Sequence, residues 1–351
     1  MKARIESLDW LRGLMAIAIM FYHLAIWFYF PRDSTTLLGR LGIYGVSIFF
    51  ILSGLSMAMV YANFIKDMKT SGFFMIRRIF RIWPLLWVCV ALVVSLNFVR
   101  NGSFDPLKII LNLTTLFGFI DTHGAINTGA WSIGNEMVYY VFTPFIFFLY
   151  NRKKVFGDIF TLVSFIVCLV FAFLIFNPKH LIANQWTLYI NPFNNLFLYC
   201  VGISIFYNLK NVIISQRINF VVFFIGCAIF LFYPTSGDQI EIITGFNRIV
   251  FILASILIVI SFYKFDLYNF VPNFVGFSLE KFGIATYGVY MFHPIVKMYS
   301  ESVFKRIGIQ NKEVQLVSVV IVTIVIAIAS FSLFEKKMIQ IGKRLTTQKN
   351  K

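Results

Sequence analysis

The stretch SLDWLRGLMAIAIMFYHLAIWFYF, residues 7–30, is long and apolar enough to cross a bilayer as one helix. It carries two ionisable side chains of special interest, Arg12 and His23, which are eleven residues apart. Eleven residues of α-helix advance about 16.5 Å and end about 20° beyond three full turns. The two side chains therefore share one helix face, Arg12 near one membrane surface and His23 deep in the membrane. An ionisable group at that depth predicts a functional site.

The composition of the whole chain indicates that the first helix is one of several membrane-spanning segments. Of its 351 residues, 59% are hydrophobic, 19% aromatic and only 13% charged. Apolar runs of about 20 residues recur from end to end, which excludes a soluble domain and predicts an all-α polytopic membrane protein. The net charge of +16 does not indicate nucleic-acid binding, because the basic residues fall mostly in short loops, where topology signals lie.

Ten transmembrane helices are predicted, and the even number places both termini on one side. That side holds 21 of the 31 Lys and Arg residues, so both termini are predicted to be cytoplasmic. The first span ends in bulky residues, Trp27 to Phe30, instead of a small-residue cleavage site, so it is expected to stay in place. We expect one membrane domain, residues 1–340, and a basic cytoplasmic tail, 341–351. The predicted spans are 9–30, 40–64, 79–99, 132–150, 157–176, 190–208, 217–233, 246–263, 279–300 and 314–335.

The longest connection on the non-cytoplasmic side runs from Arg100 to about Ala130. Its apolar part, 107–119, is short and interrupted, which favours an interfacial or re-entrant helix over a full span. DTHGAINTGAWS, residues 121–132, is rich in Gly, Thr and Asn and is predicted to be a loop. A long polar loop on one face is a candidate lid or acceptor surface.

A cytoplasmic cluster of arginines lies in IRRIFRIWP, residues 76–84. Arg78 and Arg81 are three apart and share a helix face, with Arg77 beside them and Pro84 expected to close the turn. Paired arginines recognise phosphate through fork-like hydrogen bonds. Alternatively, they are topology signals that contact anionic lipid headgroups.

Small residues are concentrated in GVSIFFILSGLSM, residues 45–57, within the second span. They permit close helix packing, and a ligand groove would need the same residues, Ser53 among them. Cysteines occur four times, each inside or at the edge of an apolar span and without paired spacing. Packing therefore explains them better than a metal site or a disulfide framework.

Two further motifs place polar side chains in apolar spans. In WSIGNEMVYY, residues 131–140, Glu136 lies inside the apolar run. It could stabilise helix packing, or it could orient a histidine and relay protons. In ATYGVYMFHPIV, residues 285–296, His293 accompanies the hydroxyls of Tyr287 and Tyr290. A single histidine of this kind is about as often a satisfied core residue as a functional one.

These clusters suit a donor with phosphates at one end of a long arm and a reactive group at the other. The cytoplasmic arginines would hold the phosphates, and His23 would act deep in the membrane. Glu136 and His293 could approach from the outer side. Acyl-coenzyme A is such a donor, and its pantetheine arm is comparable in length to the separation of Arg12 and His23.

Five motifs in order, LDWLRGLMAIAIMFYH, GVSIFFILSG, RRIFRIWP, WSIGNE and TYGVYMFHPIV, resemble those of the acyltransferase-3 family of integral-membrane O-acyltransferases. The resemblance implies transfer of an acyl group, most often acetyl, from cytoplasmic acyl-CoA to a hydroxyl on a bacterial surface polysaccharide or related molecule. It implies donor binding by Arg12, Arg78 and Arg81 and catalysis by His23, which we expect to act with Glu136. Four residues are expected on the acceptor side or in support: Trp131, Tyr290, His293 and Ser53.

The expected partners are acyl-CoA as co-substrate, a glycan or lipid-linked saccharide acceptor, and membrane lipids of the bacterial cytoplasmic (inner) membrane. No tightly bound cofactor, no metal and no nucleic acid are expected. One rival interpretation is a proton-coupled transporter or flippase for a surface-glycan precursor. Such folds usually contain inverted repeats or paired broken helices, which this sequence does not display. A structural or sensory role would not explain the eleven-residue spacing of Arg12 and His23.

Overall fold

A computed structural model of the chain describes residues 5–265 and 273–347, and its regular secondary structure over these residues is helical throughout. Short 3-10 turns at Thr122–Gly124 and Ile182–Gln185 join longer helices, and π-helical turns at Phe171–Ile175 and Phe331–Glu335 extend two of them. The α-helices are α1 (Glu6–Phe28), α2 (Leu37–Tyr61), α3 (Met68–Asn101), α4 (Pro106–Leu113), α5 (Phe117–Ile120), α6 (Ala130–Arg152), α7 (Lys154–Val170), α8 (Trp186–Tyr189), α9 (Pro192–Leu209), α10 (Gln216–Phe232), α11 (Ile240–Ile243), α12 (Gly245–Lys264), α13 (Asn273–Ile307), α14 (Lys312–Ser330) and α15 (Lys336–Leu345).

Each of the ten predicted segments coincides with a helix, so the prediction of an all-α membrane protein is confirmed. The number of spans and the side of the termini remain predictions. Among the described residues, six helices are long and apolar enough to cross a membrane, and α10 is a shorter apolar helix. The six are Glu6–Phe28, Leu37–Tyr61, Met68–Arg100, Lys154–Ile175, Gly245–Lys264 and Lys312–Leu345.

The third helix differs most from its prediction. It begins at Met68, eleven residues before the predicted start, where the side chain of Asp67 accepts a hydrogen bond from the Thr70 backbone N–H at 2.7 Å. Its first eleven residues, MKTSGFFMIRR, mix three charged and other polar residues with apolar ones, so a search for long apolar runs misses them. The expectation that Pro84 closes a turn is wrong, because Pro84 lies inside α3. Membrane helices tolerate an internal proline when neighbouring groups satisfy the freed backbone.

The chain divides into two compact units. Over their described residues, unit 1 is formed by Met1–Phe64 and Thr143–Ile284, and unit 2 by Ile65–Phe142 and Ala285–Lys351. One of the three divisions falls between α2 and α3, and the other two fall within α6 and α13. Arg12, His23 and Ser53 consequently belong to unit 1, and the other predicted site residues belong to unit 2.

Unit 1 packs around α2, which contacts α1, α9 and α12. Two glycines allow α2 and α9 to approach backbone to backbone. A Cβ atom at Gly54 would lie within 3.0 Å of the Tyr199 carbonyl group, and one at Gly202 would lie equally close to that of Ile51. Gly45 meets the side chain of Ile19 on α1. The small residues of the second span therefore serve close helix packing at these positions, as one of the two interpretations predicted.

Replacing Gly54 with alanine should lower the apparent Tm of the purified protein in detergent. The added methyl group must displace a backbone carbonyl, and overpacking of this kind costs about 1–3 kcal/mol. Gly72→Ala on α3 is the matched control, because a Cβ there meets nothing within 4 Å. Equal melting temperatures for Gly54→Ala and the unmodified protein would contradict the close α2–α9 contact.

In unit 2, the segment predicted to be interfacial or re-entrant is two short helices, α4 and α5, broken at Thr115, whose φ is +58°. The loop prediction for the following residues is confirmed up to α6, apart from the 3-10 turn Thr122–Gly124. Asn112 stabilises this loop through two hydrogen bonds. Its Nδ2 donates to the Gly124 carbonyl at 2.8 Å, and its Oδ1 accepts from the Ile126 N–H at 2.9 Å. Asn127 then donates to the Met291 carbonyl at 2.9 Å.

Candidate functional site

Arg12 and His23 both lie on α1, which is one uninterrupted helix. The predicted placement on a single face therefore holds, because the α-helical geometry on which it rests is present along the whole interval. Gly13 on α1 and Gly283 on α13 meet closely, and a Cβ at Gly13 would lie 3.0 Å from the Gly283 nitrogen. This contact fixes the first turns of α1 within unit 1.

Asp9 and Ser56 are among the partners that hold the guanidinium of Arg12. It forms an ion pair with Asp9, one turn earlier on α1, and it donates to the hydroxyl of Ser56 on α2. Ser56 in turn donates to the Leu52 carbonyl at 2.6 Å. Asp9 is only 8% exposed, and a buried carboxylate requires such a charge partner. The Arg12 side chain itself remains 23% exposed.

His23 is half-buried in the second half of α1. Its ring stacks on Trp27, one turn further on, with centroids 5.3 Å apart and planes 13° from parallel. Tyr22 lies beside it with a centroid distance of 5.3 Å. An indole that covers one ring face limits the orientations of the imidazole.

Arg78 and Arg81 lie on α3, as predicted, three residues apart on one face. Arg78 is half-buried and its guanidinium lies 5.9 Å from the centre of the Tyr140 ring. Arg81 is exposed and interacts electrostatically with Glu335 of the π-helical turn. The two arginines thus occupy different surroundings, one against an aromatic face and one open to ligands.

Glu136 lies in the second turn of α6 and is half-buried. The hydroxyl of Tyr140, one turn later, donates to its Oε2 atom at 3.0 Å. Glu136 also acts electrostatically on Tyr287 of α13, whose hydroxyl donates to the Ile82 carbonyl at 2.9 Å. The carboxylate therefore lies within a polar region of unit 2.

Trp131 and Tyr290 lie on α6 and α13 of the same unit, and Trp131 is only 7% exposed. The Ser132 hydroxyl donates to the Tyr290 hydroxyl at 3.0 Å, which joins the two helices directly. Gly129 makes room for the Tyr290 ring, because a Cβ there would lie 2.9 Å from it. The two predicted motifs that contain these residues are therefore brought together.

His293 is fully buried and its Nδ1 lies 3.1 Å from the Val289 carbonyl. A carbonyl can only accept, so Nδ1 carries the proton. The ring also bonds the Tyr290 carbonyl, which lacks its helical partner because Pro294 has no N–H. These bonds support a structural role for His293, and its predicted place on the acceptor side stays a prediction. Ser53 is buried on α2, one turn before Ser56.

Some residues with close contacts to the predicted site were not anticipated, and three of them contact charged side chains. Asp9 could have been found from its i, i+3 spacing to Arg12, and Tyr140 from its i, i+4 spacing to Glu136. Ser56 belongs to another helix than Arg12, so spacing along the chain gives no signal for that contact. Within residues 5–265 and 273–347, no group of three or more His, Cys, Asp or Glu side chains could hold a metal ion.

Comparison with known protein families gives one match that spans nearly the whole chain. The acyltransferase-3 family model, described as an acyltransferase domain, matches residues 5–335. Searches of curated proteins and of solved structures found no match. The candidate membrane spans agree with this assignment, and the five sequence motifs lie within the matched residues. The chain belongs to the acyltransferase-3 family of membrane acyltransferases.

Proposed function

We propose that this protein is an O-acyltransferase of the bacterial cytoplasmic membrane. It transfers an acyl group, acetyl in the simplest case, from cytoplasmic acyl-CoA to a hydroxyl of an extracytoplasmic glycan or lipid-linked sugar. Family membership supports acyl transfer in general. The donor and the residue roles are proposed from the spacing and charge of the site residues, and the direction of transfer from the predicted cytoplasmic side of the arginines.

The observation that carries the proposal is the pairing of Arg12 and His23 on one unbroken helix. Arg12 is held by Asp9 and Ser56, so its charge has a defined position. His23 lies about 16.5 Å further along the helix axis, a length that suits the extended arm of an acyl-CoA. A donor phosphate at Arg12 would bring the thioester to the depth of His23.

Arg78 and Arg81 supply further positive charge for the donor. They share one face of α3 and are arginines, whose planar fork matches phosphate oxygens. Arg81 is exposed, as contact with a soluble or a lipid phosphate requires. The proposed role of Arg78 and Arg81 is therefore binding of the donor phosphates, the role also proposed for Arg12.

In the proposed reaction, neutral His23 removes the proton of the acceptor hydroxyl as its oxygen attacks the thioester carbonyl carbon. The new C–O bond forms and the C–S bond breaks, and the coenzyme A thiolate takes the proton from the imidazolium. The products are an ester and free coenzyme A. Direct transfer is preferred to an acyl-enzyme, because the sequence contains no G-x-S-x-G elbow that would activate a serine. Glu136 is assigned to proton handling or histidine orientation.

Labelled acetyl-CoA tests this proposal with purified protein in detergent. The acceptor probe is surface glycan extracted from a strain that lacks this gene product and is therefore unmodified. We expect alkali-labile label on the glycan and release of one free thiol per ester formed. Absence of both products, together with absence of acetyl-CoA binding, would contradict an acyltransferase and favour a transporter.

A further inference from the structure

Tyr140 lies between two residues of the proposed site without having been predicted as part of it. Its side chain is only 3% exposed. Its hydroxyl donates to Glu136 Oε2 at 3.0 Å. A buried tyrosine hydroxyl requires a hydrogen-bond partner, and the Glu136 carboxylate, one turn earlier on α6, provides one.

The ring of Tyr140 is positioned by two residues of α3 that are one turn apart. Phe74 packs its ring edge-to-face on Tyr140, with centroids 5.9 Å apart and planes 87° from parallel. The Arg78 guanidinium lies 5.9 Å from the Tyr140 ring centre, within the range of a cation–π interaction. Phe74 is fully buried, so this contact anchors the ring independently of Arg78.

One side chain therefore contacts a predicted donor-binding residue with its ring and a predicted catalytic residue with its hydroxyl. We propose that Tyr140 is a positioning residue, which holds Arg78 for the donor phosphates and Glu136 for the chemical step. The proposal rests on the proposed function. It needs no contact of Tyr140 with either substrate, since Tyr140 acts through its two neighbours.

The two contacts use different parts of Tyr140, so substitutions can separate them. Tyr140→Phe keeps the ring and removes the hydroxyl. We expect kcat to fall about 10-fold, in line with the loss of a hydrogen bond to a charged group, while KM for acetyl-CoA changes less than about twofold. Tyr140→Leu also removes the ring, and KM should then rise about 3–10-fold, as expected for loss of a partly buried cation–π contact.

Tyr150 provides a matched control on the same helix. Its hydroxyl also donates to a carboxylate, Asp158 Oδ1, at 3.1 Å, but neither residue belongs to the proposed site. Tyr150→Phe makes the same change to a similar bond and should leave kcat and KM within about twofold of the unmodified protein. The apparent Tm of each variant is measured alongside, since loss of the ring in Tyr140→Leu also removes packing.

The outcomes separate this proposal from the proposed function. Acyl transfer by the unmodified protein with equal kcat in Tyr140→Phe would overturn the role of Tyr140 and leave the proposed function standing. An equal loss of kcat in Tyr140→Phe and Tyr150→Phe would also overturn it, since general destabilisation would then explain both. Absence of transfer by the unmodified protein would overturn the proposed function itself. A fall in kcat confined to Tyr140→Phe, with KM unchanged, supports the proposal.

Discussion

Replacing His23 with alanine is expected to lower the rate of acyl transfer about 10²–10⁴-fold, the factor that a positioned general base contributes. The side chain is half-buried and stacked on Trp27. Within α1, Glu6–Phe28, no other histidine could replace it. The measurement is the release of free coenzyme A from acetyl-CoA in the presence of the extracted glycan. Binding of acetyl-CoA should persist, because Arg12 and the arginines of α3 are unchanged.

His180→Ala is the control for this prediction. His180 is an exposed residue of the segment between α7 and α8, and its replacement should leave transfer unchanged. Normal membrane insertion and an unchanged apparent Tm for His23→Ala would show that the loss is chemical. Full activity of His23→Ala would refute the role of general base.

Arg78→Ala and Arg81→Ala should each raise KM for acetyl-CoA about 10–100-fold, because a hydrogen bond to a charged phosphate contributes about 1.5–3 kcal/mol. At saturating donor, kcat should fall less for Arg81→Ala than for Arg78→Ala. The reason is that Arg78 and Glu136 both contact Tyr140, so loss of Arg78 is expected to disturb Glu136. Arg81, in contrast, is an exposed residue. The measurement is initial rate against acetyl-CoA concentration at a fixed glycan concentration.

Lys69→Ala controls for loss of positive charge on the same helix. Lys69 is exposed near the start of α3, and its removal should leave KM for acetyl-CoA unchanged. An unchanged KM for acetyl-CoA in both arginine variants would contradict donor binding. It would favour the alternative that Arg78 and Arg81 contact lipid headgroups. A rise of equal size in Lys69→Ala would indicate a general effect of surface charge.

The sequence was most informative about pairs of residues that lie on the same helix. The common face of Arg12 and His23 follows from α-helical geometry alone, and α1 satisfies that condition. The same holds for Arg78 and Arg81 on α3. The ten helical segments were recognisable because apolar residues dominate each of them.

Sequence patterns were less informative at helix ends and between helices. The start of α3 was predicted eleven residues too late, because charged residues interrupt its apolar run. Pro84 was expected to close a turn, although it lies inside the helix. The contact of Arg12 with Ser56 and that of Arg78 with Tyr140 each join two helices. Such contacts depend on packing that spacing along one chain does not encode.

Sided proteoliposomes test the central claim, transfer across the membrane, most directly. The purified protein is reconstituted, labelled acetyl-CoA is enclosed inside, and the extracted glycan is added outside; a second preparation reverses the two, and a third encloses both together. We predict alkali-labile label on the glycan when donor and glycan are on opposite sides of the bilayer, and its loss in His23→Ala. Label on the glycan only when both are enclosed together would contradict the account.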